Sequence, residues 1–117
     1  MTATFSPAEL AYLQGERRLA RLATADASGR HQVTPVGMWQ INHELGTVDI
    51  GGREFQTTKK YRNITANPQA ALVIDDMASV NPWRPRGVII EGPAEAAAEA
   101  GGLIRITPDR IISWGLD

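Results

Sequence analysis

From residue 19 onward the chain sets short apolar runs between clusters of turn residues, the pattern of a sheet protein rather than the 3.6-residue stripe of a helical one. Leu19 to Ala25 reads as a first strand, Asp26-Ala27-Ser28-Gly29 as a turn and His31 to Ile41 as a second strand. Asn42 to Gly46 turns the chain again, and in a third strand, Thr47 to Gly51, Val48 and Ile50 alternate with Thr47 and Asp49. The second strand is apolar on both faces, as expected with a barrel interior on one side and a helix or another subunit on the other. Gln69 to Ile74 is a continuous apolar strand ending in Asp75-Asp76. Met77 to Arg86, with Asn81-Pro82 and Arg84-Pro85, reads as a loop. Val88 to Glu91 resumes the sheet, and Pro93 marks an edge or a bulge. Leu103 to Thr107 and Arg110 to Trp114 form a last hairpin across Pro108-Asp109. Ala94 to Gly102, rich in alanine, suits a helical turn or a surface loop equally.

Two short helices interrupt the strands. Ser6-Pro7-Ala8-Glu9 combines a hydroxyl cap, a proline at the first helical position and a carboxylate three residues after the cap, so a helix should run from Pro7 to about Gln14, with Leu10 and Leu13 on one face and Gly15 closing it. Glu54 to Ala66 is the second: Thr57 or Thr58 can cap it, Tyr61 and Ile64 share a face, and Asn67-Pro68 ends it. Six or seven strands and two helices suggest a small, mainly β antiparallel barrel, with residues 1–117 forming a single domain.

Composition narrows the chemistry. A chain of 117 residues has room for one modest core, and 43% hydrophobic with 21% charged residues is ordinary for a soluble domain. The absence of cysteine removes disulfides, thiolate metal sites and thiol nucleophiles. A formal charge of -1 gives no bulk attraction to nucleic acid or anionic membrane, and no segment approaches the roughly 18 apolar residues of a spanning helix, so a cytoplasmic location is the default expectation.

Against that balance, the stretch from Arg53 to Arg62 carries four basic residues and one acid. Lys59 and Lys60 fall in the first turn of the second helix, where the macrodipole is already positive, a placement that is unfavourable unless a negative group docks there. An anion would find backbone N–H groups, the Thr57 and Thr58 hydroxyls and two ammonium groups together, and Gly51-Gly52 would allow close approach. The other reading is a solvated basic surface. Trp83-Arg84-Pro85-Arg86 forms a second basic group, in which Arg84 and Arg86 can hold a carboxylate or phosphate, or pair with Asp75 or Asp76. His31 and His43 stand apart without partner ligands, which gives no metal site, and Ser28, Ser79 and Ser113 lack a nucleophile context. Trp39 and Trp114 lie in apolar strands and suit core or interface packing first, contact with a flat cofactor second.

Five segments in register, RLATADASGRHQVTPVG, TVDIGG, TTKKYRNITANPQAAL, DDMASVNPWRPRGV and IRITPDRIISWGL, resemble the pyridoxamine 5'-phosphate oxidase-like split-barrel superfamily. Within it, the chain is similar to small actinobacterial oxidoreductases that use the deazaflavin coenzyme F420, including reductases of tetracycline-type biosynthesis. The likeness runs from Phe5 to Leu116. It implies a six-stranded antiparallel split β-barrel and a homodimer with cofactor sites at the subunit interface. Thr58, Lys59 and Lys60 stand where the flavin oxidases carry a phosphate-holding serine-arginine-lysine triplet, followed in both by an asparagine-proline, here Asn67-Pro68. Hydroxyl and charge are kept and the bidentate fork is lost. The implied cofactor-binding set is Gly51, Gly52, Thr57, Thr58, Lys59, Lys60, Trp83, Arg84 and Arg86. The implied reaction is hydride transfer from reduced F420 to a conjugated acceptor. FMN in the same cradle is the alternative, and a non-enzymatic cofactor or haem carrier a third reading. No protein acid or base is assigned; Tyr61 suits helix packing better than proton donation. Many relatives carry more residues between Gly92-Pro93 and Ile104, which implies an abbreviated substrate side here.

Overall fold

The computed structural model describes residues 2–116. Helix α1 (Pro7–Gln14) begins at a complete capping box: Glu9 N–H donates to Ser6 Oγ at 3.1 Å, and Ser6 N–H donates to the Glu9 carboxylate at 2.8 Å. Tyr12 and Leu13 are buried, while Leu10 is half-buried. Helix α2 (Lys59–Ala66) is shorter than the pattern suggests. Glu54 takes a left-handed conformation (φ 45°), a 3-10 turn covers Phe55–Thr57, and Thr58 supplies the cap.

Among the described residues eight strands, not six, make up the sheet: β1 (Ala20–Ala25), β2 (His31–Val36), β3 (Trp39–Asn42), β4 (Thr47–Ile50), β5 (Gln69–Val80), β6 (Trp83–Ala97), β7 (Leu103–Ile106) and β8 (Arg110–Trp114). Their antiparallel order is β2-β1-β5-β6-β7-β4-β3, with β8 paired to β6. The expected single strand from His31 to Ile41 breaks at Gly37-Met38, after which Trp39 pairs with Ile50 instead of continuing beside β1. Among the described residues no ladder joins β2 to β3, so the sheet does not close there.

Two further expectations are corrected. Met77 to Arg86 is not a loop: cross-strand pairing continues from Asp76↔Arg86 to Val80↔Trp83, and only Asn81-Pro82 turns the chain. A register shift between Met77 and Ser79 accommodates the strand opposite Pro85. Ala94 to Ala97 belongs to β6, and the 3-10 turn is confined to Glu99–Gly101. Pro93 is a corner. β6 leaves β5 at Gln69↔Pro93 and takes up β7 from Ala94↔Ile106. The chain passes so close at this corner that a Cβ on Gly92 would lie 2.1 Å from the Thr107 carbonyl oxygen, which requires glycine.

Strand alternation then sorts the side chains. Leu22, Leu72, Ile74, Val88 and Ile90 point into the core with Val48, Ile50, Ile104 and Ile106 from the other half of the sheet. On the opposite face, the register lines up Pro35, Arg21, Val73, Ile89 and Ile112 across five strands, beside a row containing Val33, Ala23 and Ala71. Val33 is 65% exposed, and Val73, Ile89 and Ile112 are only half-buried. Among the described residues no helix is long and apolar enough to cross a membrane.

Candidate functional site

The basic segment folds as a helix start aimed outward. Thr58 Oγ1 accepts the Tyr61 N–H at 3.3 Å, and the Thr58 carbonyl takes the Arg62 N–H at 3.2 Å. The N–H groups of Lys59 and Lys60, the first two of the helix, have no intrahelical acceptor by geometry. Both threonine hydroxyl protons are already used, Thr57 on the Glu54 carbonyl and Thr58 on the Phe55 carbonyl. What the cradle offers an anion is therefore backbone N–H and ammonium groups, not the hydroxyl protons the sequence suggested. The Lys60 ammonium lies 5.7 Å from the Phe55 ring centroid, and among the described residues neither lysine has a carboxylate within 4.0 Å. Phe55 packs edge-on against Tyr61 at 5.9 Å, and the Tyr61 hydroxyl donates to the Ala97 carbonyl at 3.4 Å, a packing role.

Gly51 and Gly52 connect β4 to this turn and differ in purpose. A Cβ on Gly52 would stand 3.1 Å from the Phe55 ring, so packing explains its lack of a side chain. A Cβ on Gly51 would meet nothing closer than the Gly102 carbonyl oxygen at 4.0 Å. Both glycines line a cavity of about 440 Å³ whose other walls include Arg17, Met38, Trp39, Ile50 and Leu103. That volume is in the range of small-molecule sites.

Asp49 also lines this cavity, yet its carboxylate is closed. It accepts from Thr47 at 2.9 Å, from Asn42 at 3.0 Å, and from Arg105 twice at 3.0 and 3.1 Å. Burial alone would raise the Asp49 pKa; these four donors outweigh it and hold the group below its ordinary value. Arg105 also bonds Glu99, tying the 3-10 turn to the strand beneath it.

Trp83, Arg84 and Arg86 do not join the α2 cradle within one copy of the chain. The strand from Gln69 to Val80 covers roughly 35 Å at about 3.3 Å per residue, and the Trp83 tip lies at its far end. Trp83 is 71% exposed there, and Arg84 is exposed beside it. Arg86 is committed to Asp76 through two hydrogen bonds of 2.7 and 3.1 Å, the pairing alternative that the sequence left open. Arg18 adds a bond of 2.9 Å to the same carboxylate and Tyr12 another of 2.9 Å, and both guanidinium groups lie over the Tyr12 ring. The Arg86 hydrogen bond, with those from Arg18 and Tyr12, holds Asp76 well below its ordinary value, while burial pushes the Tyr12 hydroxyl up to about 12.

Sequence reading did not single out Arg17, Gly37, Met38 or Gln40 as cavity residues. Arg17 belongs to a connection with no periodicity, and Met38 sits at a strand break that the apolar pattern conceals. His31 and His43 are both exposed, and among the described residues no group of three metal-ligating side chains occurs.

Comparison with known proteins places these features in a family. The pyridoxamine 5'-phosphate oxidase family matches residues 6–114. A 5a,11a-dehydrotetracycline/5a,11a-dehydrooxytetracycline reductase of Streptomyces rimosus is 35% identical over 122 residues, covering 97% of this chain and 84% of the relative. A conserved hypothetical protein of Mycobacterium tuberculosis superposes with a TM-score of 0.74 at 21% identity, over 96% of this chain and 86% of its own. A structure described as an F420 reductase superposes with a TM-score of 0.65 at 19% identity, over 87% of this chain and 94% of its own. The two structural likenesses speak to the fold alone.

Proposed function

The chain belongs to the pyridoxamine 5'-phosphate oxidase family, and on that premise we propose that it is an oxidoreductase that binds coenzyme F420 and reduces a conjugated organic acceptor of the dehydrotetracycline kind. The observation that carries this reading is the juxtaposition along one short segment of a cavity wall at Gly51 and a helix start with two free N–H groups and two lysines. A phosphate-bearing flat cofactor has those two requirements. The similarity to a tetracycline-type reductase supports the acceptor class.

Lys59 and Lys60 would grip a phosphate through backbone N–H groups and charge, and Gly51 would give a ring edge access to the main chain. When bound, reduced deazaflavin supplies a hydride to an electrophilic carbon of the acceptor, and water supplies the proton that completes the reduction. The protein's share is grip, orientation and exclusion of water.

The protein acts as a homodimer in this reading. The half-exposed apolar rows through Val33, Val73, Ile89 and Ile112 are a face that a second copy would cover. In such a dimer the hairpin tip, remote from the α2 cradle of its own chain, would meet the partner's cradle and bring Trp83 and Arg84 to the cofactor. Light scattering should give twice the chain mass, and a folded monomer that binds cofactor at full stoichiometry would reject the shared site.

Titrating cofactor-free protein with F420 and with FMN in the same buffer tests the central reading. Micromolar F420 binding, with oxidation of the reduced form accelerated by dehydrotetracycline-like acceptors, is the expected result. Binding of FMN with no detectable F420 binding overturns it in favour of a flavin enzyme. Tight F420 binding with no accelerated oxidation favours a carrier.

A further inference from the structure

Among the described residues, the cavity beside Gly51 contains one charged side chain without a counter-ion. Arg17, in the connection between α1 and β1, lays its guanidinium carbon 4.5 Å from the Trp39 ring centroid and donates from Nη2 to the Gly37 carbonyl at 2.5 Å. Its neighbour Arg18 is consumed by Asp76 and by the Tyr12 and Glu16 carbonyls. Arg17 has no carboxylate within 4.0 Å among the described residues. The other charged residue in the lining, Asp49, has both oxygens occupied. The cavity mouth thus carries one open positive charge, held in place by an indole and a carbonyl, with most of its five N–H donors unspent.

We propose that Arg17 is the specificity-determining residue of the acceptor pocket, and that the acceptor it selects is a flat conjugated molecule carrying an ionised oxygen, such as an enolate or phenolate. Met38 and Leu103 give the ring system apolar contact, with Ile50 and Trp39 buried beneath them, and the Arg17 fork meets the oxygen at the rim. An arginine resting on Trp39 and tied to Gly37 is ordered before the ligand arrives, so little freedom is lost on binding. A surface arginine serving solubility alone needs neither anchor. This assignment rests on the reading of the chain as a reductase and adds the charge of what it reduces. In this assignment the Gly51 edge serves cofactor and acceptor together, and the Arg17 mouth serves the acceptor alone.

Isothermal titration of the cofactor-free, full-length protein with two probes tests it. 2-Hydroxy-1,4-naphthoquinone is ionised at neutral pH, and 2-methyl-1,4-naphthoquinone is a neutral molecule of nearly the same shape. The wild type should prefer the anion by about tenfold or more, a preference that shrinks with salt. Arg17→Ala should abolish the preference while holding the affinity for the neutral probe within about twofold, and Arg17→Lys should restore part of it. Gly51→Val, at a position with room for a Cβ, should block both probes without lowering the melting temperature. Equal affinity for the two probes in the wild type, an Arg17→Ala variant that keeps the preference, or a Gly51→Val variant that still binds both overturns the assignment. The reductase reading fails separately: if the Arg17-dependent preference holds but F420 does not bind, the anion pocket stands and the cofactor assignment falls.

Discussion

Replacing Asp76 by asparagine keeps the shape of the side chain, removes its charge and turns one accepting oxygen into an NH2 donor that faces other donors, so the cost can be worked from the geometry. Four hydrogen bonds converge on the carboxylate: two from Arg86, one from Arg18 and one from Tyr12. Arg18 is only 10% exposed, so it loses its counter-ion where water replaces it only in part; Asp76 itself is 27% exposed and Arg86 32%. Removing one member of a fully buried pair costs about 3–5 kcal/mol, and the partial exposure here brings the expectation to about 3 kcal/mol. With an unfolding entropy of about 2 cal/mol/K per residue over a chain of this length, that is a fall of roughly 12 °C in melting temperature. A carboxylate held below its ordinary value stabilises the fold above that value, and the contribution is lost as pH falls. The wild type should therefore lose its advantage over Asp76→Asn progressively below about pH 4, where the unfolded chain starts to bind protons that the folded carboxylate resists. Differential scanning calorimetry of both proteins between pH 3 and about 7 reads the two effects together. A loss under about 1 kcal/mol at neutral pH, or a gap that stays constant into acid, would refute the reasoning.

Other variants probe other parts of the molecule. Lys59→Ala and Lys60→Ala should each leave the melting temperature nearly unchanged, and the lysine closer to the bound phosphate should weaken cofactor affinity by about tenfold to a hundredfold, less at high salt; two losses within twofold would put the phosphate elsewhere. Arg86→Ala should lower thermal stability and affect F420 and FMN alike, because its fork is spent on Asp76, whereas Arg84→Ala should leave stability intact and weaken F420 far more than FMN. Equal effects of Arg84→Ala on the two cofactors would remove that residue from the site. Gly92→Ala places a Cβ against backbone that cannot swing away and should destabilise by more than about 3 kcal/mol in a urea titration, and near-native stability would mean the β6 corner can open.

The α1 boundaries were legible because the capping signal is local: Ser6, Pro7 and Glu9 act on one another within a single turn. Strand content was legible for the same reason, through alternation. What sequence could not carry was partnership over distance. Asn81-Pro82 and Arg84-Pro85 look like a loop because proline removes a donor, and only the facing residues of β5 show that the hairpin continues through them. Pro93 was readable as an edge or bulge, but not as the place where one strand exchanges β5 for β7. At the site, the helix start with Lys59 and Lys60 announces itself through charge and spacing. The Arg17–Trp39 pair does not, since its members lie on opposite sides of the β1–β2 hairpin and only the fold stacks them.

Strand β6 touches β5, β7 and β8, and this makes the order of assembly as asymmetric as the ladder. Its pairing with β5 closes across a two-residue turn, whereas bringing Leu22 beside Leu72, or Ile50 beside Ile104, means closing loops of some fifty residues. Loop closure is what slows folding, so the short-loop hairpins β1–β2, β3–β4, β5–β6 and β6–β7 can form early, with β1 docking onto β5 and β4 onto β7 afterwards. Refolding kinetics carry the signature: Leu72→Ala should slow the folding limb, while Val48→Ala in late-docking β4 should chiefly speed unfolding. The strand that defines the native architecture is thus also the one whose early damage leaves β5, β7 and β8 without their shared partner.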